Sequence, residues 1–435
     1  MLKKTVLSLV CAGALFASDT ELEQLKKQMV QLQQQLSEMQ KHIQTLETAP
    51  VITVTNDTSS DEEMLQKMAT KSDGGAVTSL LPDIALILNG GYTSRNVSNT
   101  QYSSAVIPGF GTMEIQNNSK DGFNLNYAEV AMSSTVDPYF DANAIFHIHG
   151  NGTVEVEEAF FATRALDYGL RFKAGKFKSA FGRVNEKHHH AWNFEDQELI
   201  NNALFGPDGL GGEGAQLQWV APIPFYLMAG FELFNGNPNQ GFSAKESAST
   251  AVSYVKTSTD IGNATVLAGL SYAQGKSVVQ DMNGTDPIAD SFTNYGQTRI
   301  YGADLTVEYP LGGYSSLIWQ NEWMQRNKDD ISMTDKQSGY YSELMVKIDE
   351  NWATGIRYDD ITKNSYYDEN LGMAVNVDKL HRASIKLEYK PFEFSRFRLQ
   401  YNQDQSKYID NQEKIIHEVM LNYTLELGAH GAHAF

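Results

Sequence analysis

The chain has 435 residues, a formal net charge of -19 and a single cysteine. So acidic a composition excludes a binder of nucleic-acid backbones, which needs clustered Lys and Arg. No run of about 18 apolar residues follows the N-terminal segment, so membrane-spanning helices are excluded as well.

The first segment is a secretory signal. Lys3 and Lys4 form its charged start, Val6 to Phe16 its apolar stretch, and Ala17 a small residue suited to cleavage. Residues 1–17 are too short to hold a bilayer as a stable helix. Cleavage removes Cys11 and takes the formal charge from -19 to -21. Val10 precedes Cys11 where a lipid-attachment signal needs a small residue, so the exported chain is expected to carry neither lipid nor thiol. Over residues 19–48, Leu22, Leu25, Met29, Leu32, Leu36, Met39, Ile43 and Leu46 alternate spacings of three and four. That is a heptad seam, and its apolar stripe calls for self-association as a coiled coil. Residues 49–81, with T-N-D-T-S-S-D-E-E and S-D-G-G, read as a flexible polar linker.

From Pro82 to Phe435 the period changes to two. In A-S-I-K-L-E-Y-K, Ala383, Ile385, Leu387 and Tyr389 share one face, opposite Ser384, Lys386, Glu388 and Lys390. Such strands, with Tyr repeatedly at their ends, are the pattern of an all-β transmembrane barrel that is apolar outside and polar inside. Strands are predicted at 83–93, 122–134, 139–149, 153–165, 169–178, 213–221, 224–234, 248–258, 264–273, 297–309, 314–326, 338–349, 352–361, 380–390, 394–403 and 414–427. Connections after even strands are short, and those after odd strands mostly long. This alternation places both barrel ends in the periplasm. About sixteen antiparallel strands enclose an aqueous channel.

Signal peptide, coiled coil, barrel and terminal Phe435 together resemble trimeric outer-membrane porins, the phosphate-selective type included. More closely, P-D-I-A-L-I-L-N-G, V-D-P-Y-F, V-E-V-E-E-A-F-F and L-G-A-H-G-A-H-A-F resemble a family of largely uncharacterised bacterial outer-membrane proteins. H-H-H-A-W-N-F is similar to that family's H-x-H-x-W-D-F, with Asn193 in place of the acid. Some members carry the label of a zinc-regulated TonB-dependent receptor. Such a receptor needs a plug domain and about 22 strands, for which this chain has no room. The resemblance implies a homotrimer in the outer membrane of a Gram-negative bacterium, with the coiled coil in the periplasm. It also implies that Phe435 is read by the barrel assembly machinery.

Residues 179–212 form the third external loop, which in general porins folds inward. Glu186, Lys187, His188, His189, His190, Trp192, Glu195, Asp196 and Glu198 either lie over the mouth or narrow the channel with acids and imidazoles. His147 and His149 lie two apart on the third strand, on the face opposite Phe146 and Ile148, and so point inward. With His188 and His190 they make a candidate zinc set, with Glu155 or Glu157 as a carboxylate ligand. His430 and His433 belong to the other end of the barrel. Arg171, Lys173, Arg382, Lys386, Lys390, Arg396 and Arg398 form a basic lumen wall facing the acidic loop.

The expectation is a passive channel for small hydrophilic solutes or ions. No cofactor is required, zinc is a candidate ligand, and no catalytic spacing marks an enzyme. The alternative is a zinc-binding uptake or sensing protein.

Overall fold

The computed structural model describes residues 82–110, 120–150, 152–164, 166–237, 241–242, 248–277, 296–329, 333–368, 371–377 and 380–428. The expected signal, coiled coil and linker, and the terminal His430, His433 and Phe435, lie outside the described residues.

The chain from Asp83 onward is one antiparallel sheet closed on itself. Its first half comprises β1 (Asp83–Arg95), β2 (Gly122–Thr135), β3 (Phe140–His149), β4 (Val154–Thr163), β5 (Leu170–Lys178), β6 (Gly211–Val220), β7 (Tyr226–Asn235) and β8 (Ala248–Ile261). The second comprises β9 (Ala264–Lys276), β10 (Gln297–Gly312), β11 (Ser315–Asp329), β12 (Thr334–Lys347), β13 (Trp352–Asp368), β14 (Met373–Asn376), β15 (Leu380–Phe392), β16 (Ser395–Ile409) and β17 (Gln412–Gly428). Each strand pairs with its neighbours in sequence, and β1 pairs with β17 from Ala85↔Gly428 to Arg95↔Glu418, which closes the hoop. The four-residue β14 pairs only with the outer end of β13, while β13 also pairs with β15. The wall therefore has sixteen strands.

The alternation in sequence explains the two surfaces. Outward-facing Leu270, Ile356, Ile385 and Leu421 are each more than half exposed, as lipid-facing residues of a barrel must be in an isolated chain. Aromatic pairs border this apolar band. Trp352–Tyr389 and Phe397–Tyr423 stand near the short-turn end, with ring centroids 4.5 and 4.4 Å apart. Tyr340–Tyr358 and Tyr92–Phe123 stand toward the other, at 6.4 and 5.2 Å. Trp352 and Tyr358 share a face of β13, separated by roughly 20 Å of strand.

Strand ends differ from expectation mainly on the long-loop side. β13 continues past 361 to Asp368, and β16 past 403 to Ile409. Here Thr362, Lys363 and Gln403 are exposed polar residues, so the alternation that marks a lipid-facing strand no longer operates. β16 and β17 are joined by Asp410 and Asn411 alone, at φ 51° and 59°, where a longer loop was expected. This is the backbone of a tight hairpin turn, which Asp and Asn tolerate. β14 was also unforeseen.

The lumen carries a second core. Phe177, Phe234, Tyr254, Ile300, Met324 and Tyr341 of the wall meet Phe181, Ile200, Leu204 and Phe205 of the third loop and Ile107 and Phe110 of the first. The first loop holds a short helix, α1 (Asn99–Ser103), capped by Ser98. Gln337 and Asn364 donate to the carbonyls of Gly109 and Pro108, which ties that loop to β12 and β13.

Candidate functional site

Residues 179–210 leave β5, circle the lumen and return to β6. The neck is pinned first. Asn185 donates to the carbonyls of Ser179 and Leu210, both at 2.7 Å, and accepts from the Leu210 amide. Ser179 Oγ and the Ala180 amide donate to Glu232 of β7, the Gly182 amide to Ser271 of β9, and the Arg183 amide to Glu322 of β11. Gly182 has φ 65°, and an added Cβ would lie 1.7 Å from Glu322 Oε1, so only glycine fits this approach.

Beyond the neck the loop divides into two charged anchors and an apolar foot. Glu186 pairs with Lys256 of β8 at 3.1 Å. Burial favours the neutral acid, but Lys256 outweighs it and holds the Glu186 carboxyl below its ordinary range. Lys187 is pushed down by burial and by Arg183.

The first anchor is built on the three histidines, which occupy a turn beginning at His188. His188 Nε2 lies 3.0 Å from Glu158 Oε1, and its Nδ1 lies 3.3 Å from Glu157 Oε2 and 3.8 Å from Glu129 Oε2. His190 Nδ1 lies 3.4 Å from the same Glu129 oxygen. Burial disfavours the His188 imidazolium, yet Glu157 and Glu158 overcome it and raise the ring to about 10. His189 points elsewhere, with ring centroids 4.2 Å from Trp192, 5.3 Å from Tyr127 and 5.9 Å from His147. Burial and the nearby Lys178 lower it to about 3.

Glu157 and Glu158 both reach inward because the ladder slips between Ile145 and Phe146. Ile145 opposes Glu158 and Phe146 opposes Val156, leaving Glu157 as the extra residue of a β-bulge. Lys178 also reaches Glu157, at 2.7 Å. His147 faces Glu157 at 3.9 Å, whereas His149 pairs with the half-exposed Glu155 at 3.6 Å. Of the four histidines read from the sequence, His188 and His190 share the Glu129 carboxylate, His147 borders them and His149 stands aside.

The second anchor is Asp196. Its Oδ1 accepts from Arg357 at 2.8 Å and Gln400 at 2.5 Å, and its Oδ2 from Asn402 at 3.1 Å. Arg382 Nη1 lies 2.7 Å from Oδ2. Burial alone would raise this carboxyl, but Arg357 and Arg382 lower it to about 2. Glu195 joins Arg398 at 3.3 Å and accepts from Asn89 at 2.8 Å. Asn193 donates to Glu343.

The expected basic wall is therefore largely occupied. Arg382 and Arg398 grip the loop, Arg396 donates to the His190 carbonyl, and Lys386 and Lys390 pair with Glu388. The expected field between a basic wall and an acidic loop takes the form of direct ion pairs. Only Lys173 and Arg171 lie away from these contacts, Lys173 4.8 Å above the Phe160 ring. Trp192 is buried and donates to the Lys187 carbonyl.

The foot is α2 (Leu199–Phe205), whose Leu199 amide donates to Asp359. Glu198 precedes it, 1% exposed, with Oε2 making no hydrogen bond. Burial and the neighbouring Glu343 raise its carboxyl well above the usual range. Sequence reading missed α2, Glu129, Glu158, Arg357 and Asp359. The apolar L-I-N-N-A-L-F within an exposed-loop context was a usable signal for α2. The others look like any lumen-facing polar residue.

A search against family models finds no match. An uncharacterized protein of Aquifex aeolicus (strain VF5) is 36% identical over 381 residues, spanning 82% of this chain and 80% of the relative. This chain belongs to that protein's family. Among solved structures, the outer-membrane channel DcaP of Acinetobacter baumannii and the Salmonella typhi OmpF complexed with daunomycin each give a TM-score of 0.51. Identity is 10% and 11%, and each covers 80% of this chain and 97% of the other. The in-vitro folded trimer form of Vibrio cholerae OmpT gives 0.50 at 11% identity, covering 80% and 99%. The family accordingly has the porin-type fold, a closed barrel of sixteen antiparallel strands.

Proposed function

We propose that the chain forms a homotrimeric channel in the Gram-negative outer membrane for passive diffusion of small hydrophilic solutes or ions. The third loop narrows the path. One observation supports this reading: inside a closed sixteen-strand wall, Arg357, Arg382 and Arg398 of the wall pair with Asp196 and Glu195 of the third loop. Charged groups fixed at such a level select among permeants. The N-terminal heptads would join three protomers on the periplasmic side, and Phe435 would direct assembly of each barrel. Purified full chain in a planar bilayer under a salt gradient tests the reading. Current steps in groups of three, with a reversal potential that gives the ion preference, are expected. Absence of current would overturn it.

A second reading is uptake or sensing of zinc. The convergence of His188 and His190 on Glu129 favours it. Liposomes carrying the protein should then admit Zn²⁺ faster than Mg²⁺, and equal rates would reject it.

A further inference from the structure

The carboxylates around His188 are spaced unlike the one at the other anchor. Asp196 meets its donors at hydrogen-bonding distance, 2.5–3.1 Å. At the first anchor, the oxygens of Glu129 and Glu157 and the Nδ1 of His188 all lie within 4.8 Å of one another. The two contacts from His188 Nδ1, 3.3 and 3.8 Å, are long for hydrogen bonds. The shorter has the length of an edge of a coordination polyhedron, and the longer lies a few tenths of an ångström beyond it. Ligand atoms held about 2.0–2.1 Å from a tetrahedral ion stand about 3.3–3.5 Å apart.

His188 itself supplies an independent sign. It is 7% exposed, and its Nδ1 makes no hydrogen bond although it points between two carboxylates. Its other nitrogen is 3.0 Å from Glu158. An imidazole whose far nitrogen donates to a carboxylate is oriented as metal-ligating histidines are, and an ion between the two carboxylates would take the place of the Nδ1 proton.

We propose that Glu129 Oε2, Glu157 Oε2 and His188 Nδ1 bind a single divalent transition-metal ion. Glu158 acts as the positioning residue for His188, and His190, 3.4 Å from Glu129, as the positioning residue for that carboxylate. One nitrogen and two oxygens suit a borderline ion such as Zn²⁺. Three protein ligands leave at least one position for water, so the ion is exchangeable. The ligand set differs from the one suggested by sequence, four histidines with Glu155 or Glu157: it takes one of the histidines, keeps Glu157 of β4 and adds Glu129 of β2. It also ties the loop to β2 and β4, a different sector of the wall from β13, β15 and β16, where Asp196 is held. The site stands whether or not ions cross the barrel.

The test is equilibrium dialysis of the folded, full-length protein in detergent against Zn²⁺, with Co²⁺ absorption as a second readout. One ion per chain, and Co²⁺ visible bands of low coordination number, are expected. Glu129→Gln and Glu157→Gln should each weaken binding at least tenfold. Glu158→Gln should weaken it about 10–100-fold, and His149→Ala should leave it unchanged. Variants are compared only where the folded barrel's heat-shifted gel mobility is retained. Glu129→Gln replaces an acid with its isostere, and should keep that mobility. No binding at 100 micromolar Zn²⁺ in the wild-type chain, or full binding after Glu129→Gln, would overturn the proposal. Binding without zinc flux into liposomes would reject uptake while leaving the site intact.

Discussion

The two anchors of the third loop solve the same problem in opposite ways. At Asp196 one carboxylate meets two guanidiniums and two amides, and every contact has hydrogen-bonding length. At His188 three carboxylates crowd one imidazole, and its two Nδ1 contacts, 3.3 and 3.8 Å, are longer than any at Asp196. Charge-assisted pairs of the first kind fix a backbone in place. Three acids that share His188, with Lys178 on Glu157 and His190 beside Glu129, leave carboxylate repulsion that a further cation would relieve. The Asp196 anchor is complete as it stands, and the His188 anchor would gain from the proposed ion.

The sharpest way to break this contrast is Asp196→Ala. It leaves Arg357 and Arg382 buried with Asp359 as their remaining shared acid. Breaking a buried pair from one side costs about 3–5 kcal/mol, so the loop should detach from β13 and β15. The expected result is a larger single-channel conductance and rapid protease cleavage within 183–205. Unchanged conductance would show that the apolar foot alone holds the loop.

Acid should weaken the same anchor more gently. Asp196 titrates at about 2 when docked, against an ordinary value near 3.8. A depressed carboxyl contributes stability that is full above its unfolded pKa and is lost as pH falls through its folded pKa, here about 2 kcal/mol. Protease protection of the loop should therefore persist at pH 4 and fall toward pH 2, a step that Asp196→Asn removes.

Glu198 has the reverse sign. Its raised carboxyl contributes stability below the ordinary carboxyl range, and that stability is lost as pH rises through the elevated folded value. Amide exchange in α2 should therefore quicken with pH beyond the intrinsic rate, and Glu198→Gln should abolish the excess. The smallest effect belongs to His149→Ala. Its exposed pair with Glu155 is worth under about 1 kcal/mol, and loop protection should not change.

The wall was legible because each strand carries its own signal. Ile385, Leu387 and Tyr389 face out whatever the rest of the chain does. The inward course of the loop was legible only through family resemblance. Its anchors were not, because they join residues far apart in sequence. Asp196 and Arg357 are separated by 161 positions, and nothing in either neighbourhood names the other. The bulge at Glu157 defeats pattern reading for a different reason. One extra residue turns two consecutive glutamates to the same side, where strict alternation would put Glu158 in lipid. Glu129 gave no signal at all, since a lone acid on a lumen face is ordinary.

The clamp on Asp196 also makes the loop depend on strands far along the chain. The loop emerges from the ribosome well before Arg357, Arg382, Gln400 and Asn402, each of which lies at least 161 positions later. The hoop closes only when β17 reaches β1. The latch therefore needs β13, β15 and β16 to be in place before it can close. A chain truncated before β15 would lack Arg382 and both amides. It would insert, if at all, with its central latch open.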